Sequence, residues 1–82
     1  MENINIKYQD IASRNGSESL FKWHDGHGVT QWEEKEGVLL SWSIASAYDT
    51  DQKNWIIPIG LVQEKISKKV ILVPAKRITI KQ

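Results

Sequence analysis

The amino-acid sequence predicts a mainly β fold, a small antiparallel barrel or sandwich of five to six short strands. The first observation is that apolar and polar residues alternate in several short segments, which is the period of a strand with one buried face. The second is that turn-forming segments rich in Gly, Asp and Asn separate these segments. A chain of 82 residues has room for one hydrophobic core, so residues 1–82 are expected to form a single domain.

Four tryptophans are expected to supply much of the core: Trp23, Trp32, Trp42 and Trp55. An aromatic side chain buries roughly 150–250 Å², and the chain has only one Phe and one Met besides. There is no Cys, which excludes disulfides and thiolate metal sites. The absence of Cys also agrees with a reducing compartment.

The first predicted strand covers residues 4–8, where apolar and polar residues alternate. Residues 10–15 are one of two candidates for a short helix, because Asp10 is a suitable N-cap and Gly16 a suitable end. A loop is the alternative for this segment.

A hairpin is predicted next. Residues 20–23 form its first strand and residues 29–32 its second, because the Asp-Gly pair at positions 25 and 26 is a strong turn signal. Residues 33–37 are charged and end in Gly, so we expect another turn there.

The clearest alternation lies in residues 38–44, which we predict to be a strand. Four large apolar residues are expected to share one face of it: Val38, Leu40, Trp42 and Ile44. A polar connection over residues 45–54 is expected to follow.

Residues 55–61 form the next predicted strand. Pro58 within it indicates a sheet edge or a bulge, because proline cannot donate a ladder hydrogen bond. Residues 60–68 are the second candidate for a short helix, since their apolar residues also fit helical spacing.

The last two strands are predicted at residues 70–73 and 76–81, with Ile78 and Ile80 facing the core. The Val-Pro-Ala break at residues 73–75, before a final strand, is similar to the end of SH3-like barrels. This similarity implies an SH3-like or related barrel.

Charge is distributed unevenly along the chain, although the net charge is only +1. Residues 1–52 contain four basic and nine acidic residues, a net charge of −5, whereas residues 53–82 contain seven basic and one acidic, a net charge of +6. Such asymmetry is typical of a surface that contacts a charged partner. Two other interpretations stay open: opposite charges pair across the sheet, or lysines protect an edge strand.

No catalytic motif is present, so we expect a protein without enzymatic activity. The chain lacks a phosphate-binding glycine loop, a nucleophile elbow and the His-Glu-x-x-His pattern of zinc proteases. His24 and His27 flank a predicted turn and are interpreted as solvated turn residues. Neither a metal ion nor another cofactor is predicted.

These features favour a non-enzymatic protein-binding module, such as a small inhibitor, an immunity factor or an adaptor. The expected partner is another protein, because Trp and Arg dominate binding hot spots and opposed charge patches select partners. The predicted contact residues are Trp32, Tyr48, Asp49, Asp51 and Trp55.

Two other functions stay open. The first is a small β-barrel that binds nucleic acid through a basic groove, with these contact residues: Lys68, Lys69, Lys76, Arg77 and Lys81. The second is a carbohydrate-binding module, in which aromatic side chains stack on sugars beside polar turn residues: Trp23, Trp32, Tyr48, Asp25, Gln52 and Asn54.

A cytoplasmic location is predicted, because no segment has the length and apolarity of a signal peptide core or a membrane span. We therefore expect no membrane among the partners. A homodimer formed through an exposed strand is compatible with the protein-binding and the nucleic-acid-binding functions.

Overall fold

A computed structural model describes residues 4–12 and 19–81 of the chain. Its elements in chain order are β1 (Ile4–Ile11), α1 (Leu20–Asp25), β2 (Trp32–Tyr48), β3 (Asn54–Glu64), β4 (Val70–Pro74), a 3₁₀ turn (Ala75–Arg77) and β5 (Ile78–Ile80). The strands form one antiparallel sheet in the order β4-β3-β2-β1-β5. The predicted mainly β fold of five antiparallel strands is confirmed. The strands form one open sheet and not a closed barrel, because β4 and β5 do not pair.

β2 is much longer than predicted, because it runs without interruption from Trp32 to Tyr48. The predictions of a separate strand at 29–32 and of a turn at 33–37 are therefore wrong. The charged residues fit a strand because β1 lies alongside: the Lys7 Nζ is 3.2 Å from the Glu34 Oε1 across the two strands. Cross-strand pairing of opposite charges thus stabilises, as a strand, a segment whose own sequence is typical of a turn.

The segment at 20–23 is the first turn of helix α1, so its prediction as a strand is also wrong. Ser19 is the N-cap, and its hydroxyl accepts a hydrogen bond from the Lys22 backbone N–H at 3.1 Å. Gly26 ends the helix in the left-handed conformation, at φ 77°. The Asp-Gly signal therefore marks a helix end here instead of a hairpin.

Neither candidate for an additional helix is helical in the described residues. The start of segment 10–15 belongs to β1, and its residues 13–15 lie outside the described part of the chain. Segment 60–68 continues as β3 to Glu64 and then turns. The part up to Glu64 is held in a strand because β2 and β4 pair on both sides of it, with Val62 opposite Leu39 and Ile71.

The end of the chain follows the prediction with one correction. β4 is a strand as predicted, but residues 75–77 form the 3₁₀ turn, so the last strand begins at Ile78 instead of residue 76. Ile78 and Ile80 lie opposite the buried Tyr8 and Ile6 and share their face, as predicted. Ile78 packs against the core, whereas Ile80 stays 46% exposed.

Two buried clusters lie on opposite faces of β3. The main cluster contains Ile6, Tyr8, Ile11, Trp23, Leu39, Val62 and Val73, and the second contains Ala47, Ile57 and Ile59. Because side chains alternate along a strand, Val62 points to one face and Ile59 to the other. α1 contributes to both clusters: Trp23 belongs to the first, and Leu20 and Phe21 pack against the second.

Candidate functional site

β2 and β3 continue beyond the other strands as a two-stranded arm, formed by residues 41–48 and 54–58. In the described residues, β1 reaches only as far as Leu39 of β2, and β4 reaches only Ile59 of β3. Pro58 lies in the arm, where β3 is locally an edge strand, as a proline requires. The arm therefore has two faces, and these differ in which parts of the chain contact them.

One face of the arm is apolar and open. Trp42, Ile44 and Ile56 are 52%, 67% and 60% exposed, and Pro58 is exposed between them. Ile44 lies directly opposite Pro58, Trp42 opposite Gly60, and Ile56 opposite Ser46, so all lie on the same side of the ribbon. We call Trp42, Ile44, Ile56 and Pro58 the arm face.

A β-bulge produces this arrangement. The pairing of β2 with β3 shifts between Leu39 and Ser41, so that Leu40 is the extra residue. As a result Trp42 lies on the same face as Leu39, because their partners Gly60 and Val62 are two residues apart. The predicted common face of Val38, Leu40, Trp42 and Ile44 is therefore wrong, since the bulge reverses the alternation.

The opposite face of the arm is covered. Ala47, Ile57 and Ile59 are buried there, and Leu20 and Phe21 of α1 pack against them. The helix thus holds the arm in place from one side, while the arm face remains accessible on the other.

Four of the five predicted protein-contact residues lie together at the tip of the arm: Tyr48, Asp49, Asp51 and Trp55. The Asp49 carboxylate organises this turn. Its Oδ1 accepts hydrogen bonds from the backbone N–H groups of Asp51 and Lys53, at 2.8 and 2.9 Å, and its Oδ2 accepts one from the Trp55 indole at 2.9 Å. The Trp55 indole N–H and these backbone donors lower the pKa of Asp49 below its ordinary value.

A shallow cleft separates the tip of the arm from α1. Its volume is about 460 Å³, and its walls include Phe21, Asp25, Tyr48 and Asp49. The ring of Trp55 lies 5.8 Å from the ring of Phe21, so an exposed aromatic side chain is fixed beside the cleft. Aromatic rings beside carboxylates form a surface that suits basic or amide groups.

The structure does not bring Trp32 to this group. Trp32 begins β2, at the end of the strand far from the tip, and packs against the main core cluster. The guanidinium of Arg77 lies 4.3 Å from the centre of its ring. Arg77 also donates hydrogen bonds to the backbone carbonyls of Trp23 and His24, both at 3.0 Å. This arrangement fastens the 3₁₀ turn to the end of α1.

The predicted nucleic-acid residues are dispersed over the fold. Lys68 and Lys69 lie in the turn between β3 and β4, and Lys76 lies in the 3₁₀ turn beside Arg77. Lys81, after β5, has its Nζ 2.8 Å from the Glu36 Oε1. These positions belong to opposite edges of the sheet, because β4 and β5 are its two outermost strands.

A second cleft, of about 640 Å³, is lined by Tyr8, Lys35, Glu64 and neighbouring residues. Their polar groups bind one another: the Tyr8 hydroxyl donates to the Glu64 Oε2 at 3.0 Å, and the Lys35 Nζ is 2.7 Å from the buried Asp10 Oδ2. The cleft is therefore held by internal hydrogen bonds and ion pairs.

The two histidines lie near the end of α1. His24 belongs to the helix and His27 follows its C-cap. Burial and the nearby charges of Lys76 and Arg77 lower the pKa of His24, which favours its neutral form. Within residues 4–12 and 19–81, no group of three or more His, Asp or Glu side chains is arranged to hold a metal ion.

The arm face was not predicted as a site, although its residues carried a signal. An apolar alternation that continues past the ends of the neighbouring strands leaves one face uncovered. The sequence of the strand itself does not show where its neighbouring strands end.

No protein-family model, curated protein or solved structure is significantly similar to this chain. In the part of the chain that the structure describes, no helix has the length and apolarity needed to span a membrane.

Proposed function

We propose that this protein is a non-enzymatic protein-binding module, such as a small inhibitor, an immunity factor or an adaptor. The observation that carries the proposal is the arm face, where three large apolar side chains are at least half exposed on one side of a ribbon. The largest contiguous apolar patch on a monomeric protein is typically about 300–600 Å² and is often an interaction site.

The size of the arm face suits the centre of an interface. Its large side chains leave roughly 300 Å² of apolar surface accessible to solvent. A standard protein interface covers about 800 Å² on each partner. The remaining area is proposed to come from the polar tip, including Tyr48 and Asp51, because interfaces surround an apolar centre with a polar rim.

The two other functions have weaker support. Two of the residues predicted to bind nucleic acid already have partners within the protein. Arg77 stacks on Trp32, and Lys81 pairs with Glu36. Carbohydrate binding loses Trp23, which is buried, and Trp32, which lies against Arg77. A protein partner makes use of the apolar arm face, which neither a phosphate backbone nor a sugar requires.

A cytoplasmic location is part of the proposal. It rests on the absence of Cys from the whole chain, which fits a compartment where thiols stay reduced. The partner is therefore proposed to be another cytoplasmic protein.

The test compares two variants in affinity purification from source cells. Ile44→Thr with Ile56→Thr removes apolar surface from the arm face and keeps β-branched side chains in the strands. Ile66→Thr is the matched control, because Ile66 is 96% exposed in the turn after β3 and lies outside the arm face.

We expect one partner to be captured by the wild type and by the control, and its recovery to fall at least tenfold with the double variant. A photo-crosslinking side chain at position 44 should form an adduct with that partner, whereas one at position 66 should not. Equal recovery with both variants, or no specific partner for the wild type, would contradict the proposal.

A further inference from the structure

The free edge of β4 is a second candidate surface, because its outward backbone groups have no partner among the described strands. β4 pairs with β3 on one side, and no described strand lies on its other side. In the turn before it, the Glu64 backbone N–H donates to the Lys69 carbonyl at 2.9 Å. Glu64 and Lys69 therefore form a hydrogen-bonded pair. Such pairs alternate with non-hydrogen-bonded pairs along an antiparallel ladder, so the next hydrogen-bonded residues of β4 are Ile71 and Val73. Val70 and Leu72 therefore direct their N–H and C=O groups away from β3, towards solvent.

In the described residues, β4 itself has neither of two usual protections against strand pairing, charged side chains and a bulge. All five residues of β4, Val70–Pro74, are uncharged, and its pairing with β3 has no bulge. Val70 and Leu72, which carry the outward backbone groups, are 55% and 42% exposed. Natural edge strands are commonly guarded by charges, bulges or covering elements. An apolar edge without charges or a bulge is suited to accept another strand.

Lysine side chains lie at both ends of the β4 edge. Lys68 and Lys69 precede β4, and Lys76 follows it in the 3₁₀ turn. All three side chains are exposed, and none forms an ion pair with a described residue. A second copy of β4 would bring its own lysines against these, because self-pairing in either direction places basic ends together. A strand with acidic ends matches the charge instead.

We propose that the β4 edge binds an extended segment of a partner protein by strand addition, and that this segment carries acidic residues on both sides of an apolar core. The inference rests on the proposed function in requiring a protein partner, but it names a surface separate from the arm face. Main-chain hydrogen bonds to Val70 and Leu72 supply affinity, and the flanking lysines select the partner.

The experiment measures amide hydrogen exchange of the full chain by NMR, alone and with two synthetic peptides. Both peptides have the same alternating Val-Thr centre; one has Asp residues at both ends and the other has Lys residues. In the free protein we expect the outward amides of Val70 and Leu72 to exchange faster than those of Ile71 and Val73. The acidic peptide should slow Val70 and Leu72, and bind at least tenfold more tightly than the basic peptide.

Two variants complete the test. Leu72→Pro removes an outward N–H that β3 does not use, and should abolish peptide binding. If that variant does not fold, the combined change Lys68→Glu, Lys69→Glu and Lys76→Glu is the deciding test, and should reverse the preference between the peptides.

Equal binding of both peptides, or no protection at Val70 and Leu72, would overturn the inference. Binding of an oligothymidine through the same lysines, without protection of these amides by the acidic peptide, would overturn it in favour of a nucleic acid.

The arm-face double variant separates the two proposals. Ile44→Thr with Ile56→Thr should leave peptide binding at β4 unchanged. Loss of the cellular partner with intact peptide binding supports both surfaces, whereas intact partner capture through the arm with no peptide binding contradicts only the β4 inference.

Discussion

At the scale of single residues, a few charged side chains organise the fold, and two of them join parts of the chain that are distant in sequence. Arg77 fastens the 3₁₀ turn to α1, Asp49 shapes the tip of the arm, and Glu36 binds two lysines from the basic part of the chain. Each of these side chains has several partners, so its replacement is expected to have a measurable effect, unlike that of an isolated surface charge.

Replacing Arg77 by Met should lower the free energy of unfolding by about 1–3 kcal/mol, because two helix-end carbonyls lose their donor and Trp32 loses its cation. Denaturant unfolding measures the change. Lys76→Met is the control, since the exposed Lys76 forms no ion pair with a described residue. Equal effects of the two substitutions would show that the Arg77 contacts do not stabilise the fold.

Replacing Asp49 by Ala should release the Trp55 indole and loosen the tip of the arm. We expect the Trp55 indole N–H resonance to move towards that of a free indole in NMR spectra, and the thermal midpoint to fall. Asp51→Ala should change neither, because the Asp51 backbone N–H, and not its side chain, binds Asp49. An unchanged Trp55 resonance in the first variant would contradict the hydrogen bond.

Glu36 should make stability depend on pH in the acid range. Hydrogen bonds from Lys81 and Lys65 lower the pKa of Glu36 from 4.5 to about 2. Its contribution is therefore complete above pH 4.5 and is lost as the pH falls from 4.5 through about 2. Thermal midpoints of wild type and Glu36→Gln should converge over this range. A constant difference between the two proteins down to pH 2 would contradict the assignment.

At the scale of elements, the neighbours of a strand decide its length and its faces. β2 extends through a charged segment because β1 pairs with it, and its bulge at Leu40 reorients Trp42 towards the arm face. Gly37 permits the close approach of a neighbouring strand, and Gly60 leaves room for side chains of the core. A Cβ on Gly37 would lie 2.7 Å from the Gln63 carbonyl oxygen, and one on Gly60 would lie 2.6 Å from the end of the Ile78 side chain.

Gly37→Ala should therefore destabilise the protein more than Gly60→Ala. The obstacle at Gly37 includes backbone, which cannot move without disturbing the sheet, whereas the obstacles at Gly60 are the ends of the Ile78 and Leu39 side chains, which can adjust. Overpacking of a core costs about 1–3 kcal/mol, and we expect Gly37→Ala near the upper end. Unfolding of both variants in denaturant measures the order, and the reverse order would refute this explanation.

At the scale of the whole molecule, the two oppositely charged parts of the chain meet within one sheet. Glu36 lies in the acidic part, and its partners Lys65 and Lys81 lie in the basic part, so one of the two simpler interpretations of the asymmetry is correct at this position. Lys68, Lys69 and Lys76 remain outside this pairing. They account for the positive charge that frames the β4 edge.

The exposed surfaces also bear on self-association. Self-pairing of β4 would bring the lysines of two copies together, which like-charge repulsion disfavours. We therefore expect a monomer at micromolar concentration in light scattering. A mass that doubles with concentration would instead support the homodimer considered from the sequence.

The grouping of the candidate contact residues follows in part from the sequence, and their role in binding stays a prediction. Polar turn residues beside aromatic side chains are a local pattern, and the tip of the arm brings Tyr48, Asp49, Asp51 and Trp55 together. Trp32 lies apart from them, against the main core cluster. Nothing local shows that Arg77, 45 positions later, covers its ring.

By itself, the sequence determined that the fold is mainly β and antiparallel, and where its clearest strands lie, at residues 38–44, 55–61 and 70–73. That information is local, because period-two alternation is written in consecutive residues. Only the tertiary structure decided that 20–23 is helical, that 33–37 extends β2, and that the arm face and the β4 edge are open. Each of these depends on which segments lie next to each other, and pairing between distant segments leaves no local pattern to read.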